Sequence, residues 1–317
     1  MPAPHAPADA TEYAAPLVRG EPVEVADRVY VIPDQRVPLV PNIGIVVGDR
    51  AALVIDTGAG PGNGAHVREV ARELADGLPL YLALTQLDPG HGFGAQAFKG
   101  HATIVYSEAQ RDRSRHHAPA YITTFRGMGR AVAGQLDGME LVEPDVTYQD
   151  EYEIDLGGVR AVLRQWGPAH TADDQTVLID RRVLFAGDLL QDRMFPILPY
   201  FPPFDTHFDG DRWIEALDEL IALDIETVVP GHGDITGTQH MREVREYLSH
   251  VHEKTASARA RGVPFDTAVE GIEKHALARW PDWEVPGWIT YAAFAYYHDG
   301  GGVRRTGAQE RQDEAGQ

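Results

Sequence analysis

The sequence predicts an α/β protein in which two sheets pack face to face, helices cover the outer surfaces, and a helical addition follows at the C-terminus. Three observations predict it. The first half carries short β-like runs, "RVYVIP", "NIGIVVG" and "AALVIDTG", and the second half repeats the style with "EYEIDLGGVRAVLRQW", "QTVLID" and "VLFAGD". Each set of strands is followed by an amphipathic helix. The end "RWPDWEVPGWITYAAFAYYH" holds too many aromatic side chains to leave in water, so it packs back on the body as helix.

The elements follow in order. Residues 1–20, rich in Ala and Pro, and the polar residues 300–317 read as disordered tails. Residues 21–237 form the main domain. In it the first strands lead to a helix capped at Asn63, with Val67, Val70, Ala71 and Leu74 at helical spacing and Gly77 as its stop. The buried-type strand "LYLALT" comes next, then the loop "TQLDPGHGFGAQAF" (85–98), the strand "ATIVY", and a helix with a capping box from Ser107 to Gln110. In the second half, tight turns fall at Gly157-Gly158 and Asp180-Arg181. Trp213, Leu217, Leu220 and Ile221 mark another amphipathic helix, and "ETVVPGHG" is a short buried strand ending in a turn. Residues 238–299 are a helical extension that begins with a long polar helix.

Composition narrows the chemistry. With 317 residues, 43% of them hydrophobic, the chain can fill a sizeable core. A formal charge of −20, from 28 basic and 48 acidic residues, argues against a nucleic-acid surface and for a small-molecule partner. The absence of cysteine excludes disulfides, thiolate nucleophiles and sulfur-ligated zinc, leaving histidines and carboxylates for any metal. The N-terminus has no secretory pattern and no segment is as long and apolar as a membrane span, so the expectation is a cytoplasmic protein. The apolar C-terminal stretch is either a homodimer surface or a cover for the core or the lid.

His91, His170, Asp188 and His232 each follow a predicted strand, in a loop marked by Gly or Pro. Strand-end loops converge on one edge of a sheet, and imidazoles with a carboxylate suit Zn(II), Fe(II) or Mn(II) with positions open for water or substrate. Asp88 is a further ligand candidate, and equally a turn former before Pro89-Gly90. Asp173 and Asp174 read as a solvated turn, and His116, His117, His240, His250 and His252 as solvated. The segment "MFPILPYFPPFDTHF" (194–208) reads as a lid over the site. Its Met194, Phe195, Tyr200, Phe201, Phe204 and His207, with Trp166, would meet an apolar or aromatic substrate; the alternative is a rigid loop packed on the C-terminal tryptophans.

Five stretches in order, "VIDTG" (54–58), the loop at 85–94, "GPAHT" (167–171), "LFAGD" (184–188) and "VPGHG" (229–233), resemble the metallo-β-lactamase-fold superfamily over about residues 23–235. The resemblance implies an αββα sandwich with a one- or two-metal site at the sheet edge, most of whose first-half ligands come from a T-H-x-H-x-D-H-x-x-G motif. Here the motif reads Thr85, Gln86, Leu87, Asp88, Pro89, Gly90, His91, Gly92, Phe93, Gly94. Gln86 and Asp88 stand where two histidines of the first metal would be, and Gly90 stands for an aspartate of the second. The resemblance therefore implies a diverged member with one divalent ion, zinc or iron, held by His91, Asp188 and His232. His170 would be a fourth ligand or general base, Asp88 a replacement base, and Asp56 and Gln86 would lie behind the ligands. The expected activity is metal-dependent hydrolysis of an ester, thioester or lactone. The alternatives are a non-hydrolytic enzyme on the same scaffold, such as an iron-dependent oxygenase or a lyase, cyclase or isomerase, and a metal-free ligand-binding protein.

Overall fold

A computed structural model describes residues 13–200 and 206–299. The first sheet runs β1 (Val23–Ala26), β2 (Val29–Ile32), β3 (Ile43–Val47), β4 (Ala52–Ile55), β5 (Leu80–Ala83), β6 (Ala102–Ser107) and β7 (Val146–Tyr148), side by side in chain order. Pairing is antiparallel as far as β4 and parallel from there on. The second sheet holds β8 (Glu151–Asp155), β9 (Arg160–Gln165), β10 (Gln175–Ile179), β11 (Val183–Gln191) and β12 (Thr227–His232), with only the β11–β12 pair parallel.

The expected sandwich is present, with three apolar layers. Between the sheets, Val31, Val46, Leu53 and Ile55 meet Leu163, Val177, Phe185 and Val229. The sheets approach so closely that a Cβ on Gly44 would lie 2.5 Å from the Phe185 ring, which explains glycine in mid-strand there. Outside the first sheet lie α1 (Gly60–Ala75), the one-turn α2 (Pro89–Gly92), α3 (Glu108–His116), α4 (Ala118–Arg126) and α5 (Arg130–Gln135). Outside the second lie α6 (Gly210–Ala222), α7 (Thr238–Ala260), α8 (Phe265–Arg279) and α9 (Trp288–Asp299), over a cluster that includes Trp213, Tyr247, Trp280 and Trp283. The aromatic C-terminus therefore packs back as expected.

Local signals explain most boundaries. Asp180 and Arg181 both take positive φ (48° and 56°), the conformation that a tight hairpin between twisted strands demands. Ser107 accepts from Gln110 N (3.1 Å) while Gln110 Oε1 accepts from Ser107 N (3.0 Å), closing the expected capping box. Ser107→Ala is expected to destabilise the protein by about 1 kcal/mol, read as a shifted urea midpoint with unchanged slope.

Several expectations are corrected. The first helix starts at Gly60, with Pro61 in its first turn, and Asn63 lies inside it. The Asn63 side chain accepts from Val18 N (3.0 Å) and donates to Pro16 O (2.7 Å), so residues 16–18, expected within a tail, are fastened to α1 with Val18 buried. Residues 1–12 and 300–317 lie outside the described residues. The long helix α7 is polar on one side only: Met241, Val244, Tyr247, Leu248 and Val251 are buried. His240, expected to be solvated, is buried beside Trp283 and accepts from Arg193 N (3.1 Å), and His250 stacks on His275 with centroids 4.1 Å apart.

Candidate metal centre

Strand ends deliver the site. Asp56 follows β4, Thr85 and Gln86 follow β5, His91 sits in α2, His170 lies between β9 and β10, Asp188 is in β11 and His232 ends β12. Pro89 in the first turn of α2 presets its backbone, and His91 N bonds Asp88 O (2.9 Å). Among the described residues, His91, Asp188 and His232 form a group whose donor atoms all lie within 4.8 Å of one another.

Each imidazole is oriented from behind. His91 Nδ1 donates to Asp56 Oδ2 (2.9 Å), and Asp56 also accepts from Thr85 N and Thr85 Oγ1 (both 2.7 Å). His232 Nδ1 donates to the Val40 carbonyl (2.9 Å). Both rings therefore turn a bare Nε2 toward Asp188, His91 Nε2 at 3.3 Å from Oδ2 and His232 Nε2 at 3.6 Å from Oδ1. His91 Nε2 and Asp188 Oδ1 are buried with no hydrogen-bond partner. Lone pairs gathered in this way repel unless a cation lies among them, so the donor set fits a divalent ion.

The electrostatics agree. Burial opposes a charged His91, but the Asp188 and Asp56 carboxylates outweigh it and push the imidazole well above its ordinary value. Burial would raise Asp188, yet His91 and then His232 hold its carboxyl far below the usual carboxylate range. A proton or a metal ion at His91 Nε2 would serve the same carboxylates, so the two compete.

The altered motif residues have definite partners. Gln86 Nε2 donates to Asp188 Oδ2 (2.6 Å), and Gln86 Oε1 faces His170 Nδ1 at 3.2 Å, so one amide spans the space between the Asp188 carboxylate and His170. Asp88 ion-pairs with the buried Arg113 (2.9 Å), which is also held by Asp173 (2.5 Å). A Cβ at Gly90 would lie 2.9 Å from the Leu39 carbonyl oxygen, so the Leu39 backbone occupies the room that a side chain there would use. His170 packs its ring edge on Trp213 and keeps a buried Nε2 without a partner. Burial opposes its charged form, but Asp174, Asp188 and Asp88 together raise it above its ordinary value.

Backbone space beside Asp188 is tight. A Cβ on Gly231 would overlap Asp188 Oδ1. Gly231→Ala is expected to displace that oxygen and to weaken metal binding about tenfold or more, measured by chelator competition.

Of the residues expected in an aromatic lid, Trp166 and Phe195 pack inward instead. Phe195 is fully buried between Tyr247 and Trp283, and Trp166 is buried with its Nε1 donating to Thr176 Oγ1 (2.8 Å). Met194 bridges to Glu284, and Tyr200 packs on Phe208 and Phe294. Residues 194–200 are thus anchored in the outer core under the C-terminal helices, which accounts for Phe195 and Tyr200 without a substrate. His207 is exposed beside His117, while Phe201 and Phe204 lie outside the described residues.

Sequence reasoning missed the supports. Asp173 and Asp174, expected in a solvated turn, are buried: Asp173 accepts from Leu87 N (2.9 Å) and Asp174 from Thr171 N (2.7 Å). Their position directly after "GPAHT" was the available signal. Nothing local marks Arg113 as a partner of Asp88 and Asp173, because both carboxylates lie far from it in the chain.

Comparison with known proteins agrees with this architecture. The family model of the metallo-beta-lactamase superfamily matches residues 36–232, and the chain belongs to that superfamily. It is 24% identical over 255 residues to a linear primary-alkylsulfatase from Pseudomonas sp. (strain ATCC 19151), a match covering 70% of this chain and 48% of that protein. The chain therefore spans about half the length of the curated relative it matches. The structure of a stereoselective inverting sec-alkylsulfatase from Pseudomonas sp. superposes with a TM-score of 0.65 at 14% identity, covering 91% of this chain and 51% of that one. A metallo-beta-lactamase from Pontibacter korlensis gives a TM-score of 0.56 at 18% identity, covering 73% and 99%. No helix among the described residues is long and apolar enough to cross a membrane.

Proposed function

We propose that this protein is a metal-dependent hydrolase that uses one divalent ion, zinc or iron, held by His91, Asp188 and His232, to cleave an ester-type bond of a small molecule. The observation that carries this reading is the convergence of His91 Nε2, His232 Nε2 and the Asp188 carboxylate, with the far nitrogen of each ring already engaged. When bound there, the ion supplies Lewis acidity and lowers the pKa of a coordinated water.

The chain's own groups do the rest. Gly90 leaves no carboxylate at the motif's aspartate position, and Asp88 is committed to Arg113. His170 takes the base role: its Nδ1 proton is held toward Gln86 Oε1, leaving Nε2 to accept a proton from water. Asp174, with Oδ1 3.7 Å from His170 Nδ1, stabilises the imidazolium that results. Gln86 holds Asp188 and His170 in register, in place of a first-metal ligand.

Similarity to a linear primary-alkylsulfatase is a reason to add alkyl sulfate esters to the carboxylic esters, thioesters and lactones to be tested. The protein should be loaded in turn with Zn(II), Fe(II) and Mn(II) and assayed on such a panel. Turnover of one class, lost in His91→Ala, is the expected result. Two imidazoles and one carboxylate also form the ligand set of non-haem iron oxygenases. Oxygen consumption by the iron-loaded protein without hydrolysis of any ester would overturn the hydrolase reading in favour of that one.

A further inference from the structure

The loop between β2 and β3 lies against the metal centre yet carries no ligand. Its backbone is unusual: Gln35, Arg36 and Leu39 all take left-handed φ (50°, 54° and 67°), a conformation that non-glycine residues keep only when their surroundings hold them. Two successive turns, Val37 N to Asp34 O (3.0 Å) and Val40 N to Val37 O (3.1 Å), bring the Val40 carbonyl to His232 Nδ1. Asp34 and Asn42 bind the loop ends to the segment bearing His232, through Gly233 N to Asp34 Oδ2 (2.8 Å) and Asn42 Nδ2 to Pro230 O (3.0 Å).

Arg36 ties the middle of this loop to three other segments. Its guanidinium meets Asp192 (3.0 Å), Asp234 (3.2 Å) and Glu284 (3.2 Å). Asp192 is nearly buried, stands four residues after Asp188, and donates its N–H to the His232 carbonyl (2.8 Å). Asp234 is two residues after His232. Glu284 belongs to the C-terminal segment, whose backbone bonds Arg193 O (2.8 Å) and Phe195 N (3.1 Å).

We propose that Arg36 is a positioning residue for the metal centre: by clamping the loop to the segments behind Asp188 and His232, it holds the Val40 carbonyl where it fixes the tautomer of His232 and leaves Nε2 free to bind the ion. The proposal rests on the reading of His232 as a ligand. A planar fork that bridges several carboxylates is a task for arginine, which a lysine ammonium performs poorly. The same clamp makes the C-terminal extension a support of the site through Glu284.

The test uses the full chain, ¹⁵N-labelled and metal-free at mildly alkaline pH, as wild type, R36A, R36K and R245A. Arg245 makes a comparable two-bond pair with Asp218 between α6 and α7, outside this loop. Long-range ¹H–¹⁵N correlations report the His232 ring, and chelator competition reports Zn(II) affinity. In the wild type the proton is expected on Nδ1. In R36A both tautomers are expected, with the Zn(II) Kd raised about tenfold or more. R36K should shift the same way by less, and it carries the test if R36A does not fold. R245A should leave the tautomer and the Kd as in the wild type. A wild-type tautomer in R36A and R36K, or an equal shift in R245A, overturns the proposal. A wild-type protein that binds no Zn(II) defeats the ligand reading alone, because the ring correlations judge Arg36 without metal.

Discussion

Replacing Asp188 by alanine is expected to abolish tight metal binding and to lower turnover about a thousandfold, since Lewis-acid stabilisation amounts to several kcal/mol and each 1.36 kcal/mol is a factor of ten. Asp188 is the carboxylate that both imidazoles face, and Gln86 donates to its Oδ2. Its removal takes away the carboxylate between the two Nε2 atoms, and His91, left with Asp56 alone, loses its largest attraction for a cation. Asp188→Asn keeps the shape and removes the charge, and it should lose metal nearly as completely. Metal content by elemental analysis, read beside the far-ultraviolet dichroism of each variant, separates loss of the ion from loss of the fold. An alanine variant that retains stoichiometric metal would show that the ligands lie elsewhere.

The second large effect concerns packing. Trp213→Ala is expected to cost about 3–5 kcal/mol of stability, the range for removing a large buried aromatic side chain. Trp213 is fully buried on α6, donates Nε1 to the Leu189 carbonyl (3.1 Å), and presents its ring to His170 at a centroid distance of 5.1 Å. Leu189 adjoins Asp188, so one side chain supports the helix layer, the backbone beside Asp188 and the His170 ring. Denaturant unfolding measures the loss, and a change below about 1 kcal/mol would mean that the cavity collapses or that the ring is not part of the core. At temperatures where the variant remains folded, turnover should fall as well, because His170 loses the surface that fixes its ring.

Features set by local chemistry were legible in the sequence. Alternating and continuous apolar runs marked the strands, Ser107 and Gln110 closed their capping box, and the Asp180-Arg181 turn adopted the expected backbone. His91, Asp188 and His232 could be singled out because strands in a sandwich deliver their ends to one edge. The supports depended on contacts that no local pattern encodes. Asp88 pairs with Arg113 across 25 residues, and Arg36 meets Asp192 across 156 and Glu284 across 248. The segment at 194–200 was ambiguous for a different reason. Aromatic and proline residues have the same composition whether they line a pocket or wedge under a helix, and only the position of Tyr247, Trp280 and Trp283 decides that Phe195 is a wedge. Burial of Asp173 and Asp174 was missed because a carboxylate's surroundings decide whether it is solvated, and here Leu87 N, Arg113 and Thr171 supply its hydrogen bonds.

We propose one ion per chain, with Gln86 spanning the space that a second would take. Elemental analysis of the purified protein, repeated after reconstitution with excess zinc or iron and removal of loose metal, tests it most directly. About one equivalent per chain is expected, lost in both His91→Ala and His232→Ala and retained in Asp88→Ala. Two equivalents would contradict the role assigned to Gln86, and none after reconstitution would contradict the metal centre itself.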